Sequence, residues 1–169
     1  MPVQHASDDI LKSMKRGLNQ QGIRNRISRL RLAVPNIAIR TTLIVGYPGE
    51  TIDDLKKTRK MIFDLTKRGV DEIAVFIVTP IPGSKIYEKF DGFNTLSNLT
   101  FTPTWRKDYK MLSKERLIMY SIFLSTKIIF HPIKIFRQIL NFFSKKFDTK
   151  MEMVPYKVLK LRSFENAKK

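Results

Sequence analysis

The run that most constrains the fold lies between residues 37 and 78. Residues 37–45 are rich in β-branched and apolar side chains and read as a buried strand. The run stops at Gly46-Tyr-Pro-Gly49, where two glycines permit a tight turn and close backbone approach. Thr51-Ile-Asp-Asp54 fits a capping box, and Leu55, Ile62 and Leu65 give the following helix its apolar face. Lys67-Arg68-Gly69 closes that helix. A second strand follows over 72–78 and ends in Thr79-Pro-Ile-Pro-Gly83. Two strands joined through one helix by short connections form a parallel βαβ unit, normally right-handed.

Upstream, Ser7-Asp8-Asp9-Ile10 reads as an N-cap with acidic first-turn residues, and Lys15-Arg16-Gly17 as the end of that short helix. Ile23, Ile27, Leu30 and Val34 recur at helical spacing and place an amphipathic helix over Gln20–Ala33, broken by Val34-Pro35. Residues 1–4 are the candidate end of a preceding strand, so the expected sheet has at most three parallel strands and two open edges. Three strands close no ring, and parallel strands are normally covered on both faces. Beyond residue 83 the pattern changes. Residues 91–103 read as loop, while Leu117, Tyr120, Leu124 and Ile128 form a helical stripe. A basic-aromatic amphipathic segment occupies 133–143, and 151–161 mix apolar and basic side chains with no clear period. The expected division is a core over 1–90 and a basic, mainly helical extension over 91–169.

The 169 residues suffice for one domain with a core, and 43% hydrophobic content argues against disorder. The chain has no cysteine, which excludes disulfides, thiolate nucleophiles, zinc–thiolate sites and self-ligated iron–sulfur clusters. Two histidines, His5 and His131, are too few for a dedicated metal site, and none is expected. The formal charge of +17 is uneven, with 16 Lys/Arg against 10 Asp/Glu over 1–100 and 16 against 5 over 101–169. Such a surface attracts the phosphates of RNA or of anionic lipid; a solvated charged tail is the plain alternative. Met1-Pro-Val-Gln-His5 does not read as a signal peptide. The most apolar stretch, 117–143, is interrupted by Lys127, His131, Pro132, Lys134 and Arg137. A span needs roughly 20 consecutive apolar residues, so no transmembrane segment is expected.

Three blocks, in order, carry a resemblance. They are Pro2-Val-Gln-His-Ala-Ser-Asp8 with Leu11 and Met14-Lys-Arg16, then Ala38-Ile-Arg-Thr-Thr-Leu-Ile-Val-Gly-Tyr-Pro-Gly-Glu50, then Val78-Thr-Pro-Ile-Pro-Gly83. They resemble the fourth, fifth and sixth strand segments of the radical S-adenosylmethionine (SAM) superfamily, in its methylthiotransferase-like and B12-binding members. Residues 100–106 and Thr149-Lys-Met-Glu-Met-Val-Pro-Tyr156 are similar to the C-terminal region of the B12-binding members. The resemblance implies an α/β fold: half of a radical SAM β/α barrel with three parallel strands, then a helical basic tail. It also implies SAM, a 4Fe–4S cluster, and cobalamin in the full-length B12-binding members. Members hold the cluster on three thiolates of a CxxxCxxC loop, and the reduced cluster releases a 5′-deoxyadenosyl radical from SAM. No such loop is present, so a cluster requires cysteines from another chain. The RNA-binding β-barrel usual at the C-terminus of methylthiotransferases is not recognised, which counts against a tRNA or ribosomal-protein substrate.

Arg40, Thr42 and Ile44 alternate onto one face of their strand. By resemblance that face lines the barrel interior. Arg40 would pair there with the SAM carboxylate, Ile44 would pack on adenine, and Gly46 would admit the ligand to the backbone. The plain reading of Arg40 is a half-exposed strand residue with a surface carboxylate partner. Gln4 and Ser7, where the first strand meets its helix, would bond the ribose, and Ser7 also fits a helix N-cap. Val78 would offer its backbone to adenine. His5 reads as a packing or turn residue, and Glu50 as a charge favouring the helix dipole. Trp105, with Arg106 and Lys107, fits base stacking or a membrane interface, while a lone Trp is more often a core or domain-contact residue. Residues 128–147 combine apolar-aromatic side chains with five basic residues when His131 is counted with Lys134, Arg137, Lys145 and Lys146, which fits an anionic membrane or packing against the rest of a barrel.

These readings converge on part of a SAM-binding barrel in a truncated or split radical SAM protein, cytoplasmic or peripheral at the membrane. Such a chain is inactive alone and partnered by a second polypeptide carrying the N-terminal half-barrel. The alternative is a basic module that docks RNA or anionic membrane on a half-barrel scaffold.

Overall fold

In a computed structural model describing residues 1–80, 84–90 and 103–166, the elements follow in the order β1 (Pro2–Gln4), α1 (Asp8–Ser13), α2 (Gln20–Ala33), β2 (Arg40–Val45), α3 (Ile52–Lys67) and β3 (Glu72–Ile77). After short 3-10 turns at Tyr87–Lys89 and Pro103–Trp105 come α4 (Tyr109–Phe130), α5 (Pro132–Ser144) and α6 (Lys150–Asn166). The described residues thus form an α/β fold, an open sheet of three parallel strands with six α-helices. Residues 81–83 of the expected turn and 91–102 of the expected loop lie outside the described residues.

Strand order is β1-β2-β3, and β2 pairs with β3 in continuous register from Arg40 opposite Glu72 to Val45 opposite Ile77. The ladder starts at Arg40 rather than at residue 37, because side chains pin the lead-in. Arg31 donates to the Ile37 carbonyl at 2.7 Å, and the Ile39 N–H donates to Asp71 at 2.9 Å. Helix α1 likewise stops at Ser13, short of the expected Lys15-Arg16-Gly17. There Lys15 takes a left-handed φ of 55°, and the Arg16 N–H folds back to the Leu11 carbonyl at 2.8 Å. Helix α3 has the expected capping box, with Thr51 Oγ1 accepting from the Asp54 N–H and Asp54 from the Thr51 N–H. It closes on Gly69 at φ 93°.

Helices cover one face of the sheet. Leu43 and Val45 of β2 and Ile73, Val75 and Ile77 of β3 point into a core built with Leu11, Ile23, Ile27, Met61, Ile62 and Leu65. Leu112, Met119 and Phe123 of α4 belong to the same cluster. The other face carries Arg40, Thr42 and Ile44 beside Glu72, Ala74 and Phe76. Phe76 is 55% exposed there. A parallel sheet with an uncovered apolar side chain on one face departs from the usual two-sided burial.

Helix α4 buries a different side from the expected stripe. Leu117 (65% exposed), Leu124 and Ile128 face solvent, whereas Leu112, Met119, Phe123, Thr126 and Lys127 are buried. The helix is apolar over much of its circumference, so spacing alone does not choose its inner side. Tyr120 does meet the sheet, its hydroxyl accepting from the Val75 N–H at 3.1 Å. That contact occupies an outward backbone donor of β3, an edge expected to lie open.

Candidate functional site

The C-terminal ends of β1 and β2 are stitched by two side chains 45 residues apart in sequence. Gln4 ends β1 with a left-handed φ of 72° and is buried, and His5 after it is fully buried. His5 Nδ1 accepts from the Ser7 N–H at 2.9 Å, which leaves Nε2 to donate to Glu50 at 2.8 Å. A backbone N–H has no acceptor role, so this contact fixes the imidazole tautomer. The other Glu50 oxygen accepts from the Gly46 N–H. His5 is thus a strand-to-strand link and Glu50 its bridge, contacts that the sequence reading missed. Ser7 occupies the N-cap position of α1 without a side-chain cap bond. Burial pushes the Asp54 carboxyl up, but hydrogen bonds from Lys57, Thr51 and Ser7 outweigh it and hold the group well below its ordinary value.

A second clamp joins the ends of β2 and β3. Arg106 is buried, and its Nη1 donates to the Gly46 carbonyl at 2.9 Å and the Val78 carbonyl at 2.8 Å. Its Nε and Nη2 grip Asp108 at 2.8 and 2.7 Å, and its guanidinium lies 4.7 Å from the Phe90 ring centroid. The paired guanidinium holds the Asp108 carboxyl below the usual carboxylate range. Gly46 sits at φ 76°, and a Cβ there would lie 2.6 Å from Leu112 Cδ1 and 2.9 Å from Arg106 Nη2. The space that glycine leaves is therefore filled by protein. A cavity of about 420 Å³ adjoins this clamp between Tyr47, Pro48, Trp105, Arg106, Met111 and the first turn of α3.

The structure thus gathers Gln4, Ser7, Gly46 and Val78 at one end of the sheet, with the Gly46 and Val78 carbonyls already engaged by Arg106. Thr42 and Ile44 lie half-buried on the uncovered face. Arg40 stands at the opposite end of β2, six residues before Gly46, or ~20 Å at the rise of a strand. Its Nε pairs there with Glu72 at 3.1 Å.

That opposite end holds a charged knot with no local signal in the sequence. Asp71 receives Arg31 and Lys134 at 2.6 Å each, together with the Ile39 N–H. Lys127 is fully buried beneath it, donating to the Asp71 carbonyl at 2.6 Å and to Gln138 at 2.9 Å. Burial lowers the Lys127 ammonium to about 8, against the pull of Asp71.

The donor set does not fit an iron–sulfur cluster, since the chain holds no thiolate. The sheet face bearing Thr42 and Ile44 is covered at its Arg40–Glu72 end, where the Lys150 N–H at the start of α6 donates to Glu72 at 3.0 Å and Glu72 and Ala74 are buried. Beyond that end Ile44 and Phe76 offer an apolar platform and Thr42 a hydroxyl, a set compatible with a nucleoside ligand.

No family model matches the chain. It is 43% identical over 91 residues to the ribosomal protein uS12 methylthiotransferase RimO of Citrifermentans bemidjiense, covering 54% of this chain and 20% of that protein. The corresponding protein of Protochlamydia amoebophila is 39% identical over 88 residues, 52% of this chain and 18% of its own length. The tRNA-2-methylthio-N(6)-dimethylallyladenosine synthase of Leptothrix cholodnii is 45% identical over 84 residues, 50% of this chain and 17% of its own. The chain spans about a fifth of the length of the curated relatives it matches. The expected link to cobalamin finds no support in these relatives.

Proposed function

We propose, from the homology of about half this chain to methylthiotransferases of the radical SAM superfamily, that it supplies a sector of a SAM-binding barrel. The observation that carries this reading is the one-sided sheet. Three parallel strands are backed by helices on one face and leave Thr42, Ile44 and Phe76 on the other. A barrel sector has this asymmetry, because its inner face is covered only when the ring is complete. In this reading the uncovered face takes the adenosine part of SAM, with Ile44 against the base. The turn from Gly46 to Glu50, braced by His5 and Arg106, sets the shape of the ligand-facing rim.

A 4Fe–4S cluster, which no residue of this chain would hold, would supply the electron that cleaves SAM. Its thiolates come from polypeptide outside these 169 residues, whether joined to them or separate, because none is present here. The chain's own part is to bind and orient. Arg40 is paired with Glu72 at the far end of its strand, so its role toward the SAM carboxylate requires that pair to open. Taken alone, the chain generates no radical.

The test is anaerobic iron–sulfur reconstitution of the chain, followed by assay for 5′-deoxyadenosine. None is expected from the chain by itself. Addition of the cysteine-bearing N-terminal half of a homologous methylthiotransferase is expected to restore SAM binding in equilibrium dialysis. Turnover by the isolated chain, or no SAM binding in any combination, overturns the reading.

A further inference from the structure

Helix α5 is built inside out. Three of its polar side chains face the protein: Lys134 pairs with Asp71, Gln138 accepts from Lys127 and donates to Thr149, and Asn141 donates to Asp148. Five of its apolar side chains face outward, with Ile133 82%, Phe143 75% and Phe136 63% exposed and Ile139 and Leu140 beside them, while Ile135 and Phe142 are half-buried, Phe142 against Tyr156 of α6. On a helix at 100° per residue these five share one continuous stripe. The last turn of α4 adds exposed Ile128 and Ile129. Soluble helices place such a stripe on the core, because exposing it forfeits the burial of every large side chain in it.

We propose that this stripe is an in-plane docking surface for an anionic lipid bilayer. Three features select that occupant. The first is length: no single described helix is long and apolar enough to cross a membrane. At 13 residues α5 is ~20 Å long, short of the ~30 Å hydrocarbon layer. The second is attitude, since α4 and α5 meet at 105°. That bend lets α5 lie along a surface while α4 runs back into the core.

The third is charge. Residues 109–147 hold eight basic side chains and one acid, Glu115, which is paired with Arg59. Arg137, Lys145 and Lys146 are exposed at the flank and C-terminal end of the stripe, with no ion pair among the described residues. An apolar stripe with a cationic border matches the boundary between acyl chains and anionic headgroups. RNA would answer the charges but leave the aliphatic stripe in water.

The test is co-sedimentation of the full chain with vesicles of phosphatidylcholine alone, and of phosphatidylcholine mixed with phosphatidylglycerol. Binding is expected to the anionic vesicles, weakening as salt rises. The triple variant Ile133→Ser/Phe136→Ser/Phe143→Ser, whose sites are exposed in the free protein, is expected to keep its unfolding midpoint. It should lose at least about tenfold in partitioning. Arg137→Ala/Lys145→Ala/Lys146→Ala is expected to reduce binding to anionic vesicles and flatten its salt dependence. Failure of the wild-type chain to sediment overturns the proposal, as does wild-type binding by the apolar triple variant. A stable dimer dispersed by that variant, with no vesicle binding, assigns the stripe to a second copy of the chain and also overturns it.

Discussion

Arg106 is buried with two backbone carbonyls and the Asp108 carboxylate as acceptors, so its truncation strands three groups at once. Asp108 is partly exposed and recovers some solvation, which moderates the cost. Arg106→Ala is expected to lower unfolding free energy by about 2–3 kcal/mol, seen as a lower urea midpoint at unchanged slope. Arg106→Lys should recover only part, because an ammonium lacks the planar fork that reaches Asp108 and the carbonyls together. Gly46 and Val78 were legible from the turn and strand end around them. Their shared partner was not, since it lies 60 residues from Gly46 and enters from a different element. The His5–Glu50 link escaped for the same reason. Each residue has an adequate local explanation, as turn residue or helix-dipole charge, and only the fold brings them within 2.8 Å.

At the scale of elements, α3 shows how far local chemistry reaches. Its cap, its buried positions Leu55, Ile62 and Leu65, and its glycine stop were all readable, because each depends on neighbours within a turn. Thr51→Ala removes the acceptor for the Asp54 N–H and should cost about 1 kcal/mol. Faster amide exchange confined to the first turn of α3 is the expected signature. Uniformly faster exchange would instead show that the cap supports the whole fold. Helices α4 and α5 mark where this reasoning stops. Both were readable as helices, yet α4 buries Thr126 and Lys127 while exposing Leu117 and Ile128. No rule of spacing foresees a buried lysine whose partners are a backbone carbonyl and a glutamine from another helix.

For the whole molecule, Lys127 ties α4 to the start of β3, to α5 through Gln138 and to α6 through Met151. Its ammonium is lowered from 10.5 to about 8 by burial, so the unfolded chain holds this proton more tightly than the folded one. The penalty is fully present below pH 8 and relieved as pH rises toward 10.5, so this group makes stability rise with pH across that window. Lys127→Met is expected to flatten that rise in chemical denaturation measured between pH 8 and 10. An unchanged slope would place the titration elsewhere. At acid pH Asp71 gives stability the same direction of change with pH, but through pairing rather than burial. Burial raises its carboxyl, but Lys134, the Ile39 N–H and Arg31 outweigh burial and hold it below its ordinary value. The stability it contributes is therefore lost as pH falls through the carboxylate range. The sequence by itself determined the order of strands and helices, the parallel βαβ unit and the lack of thiolates. Periodicity, caps and composition are local or additive properties, and they need no knowledge of the rest of the chain. Only the tertiary structure decided that Arg106 closes the strand ends, that Arg40 pairs with Glu72, and that α5 turns its apolar side outward. Those outcomes depend on contacts across tens of residues, where polar groups compete for partners and the helix face that satisfies most of them is the one that turns inward.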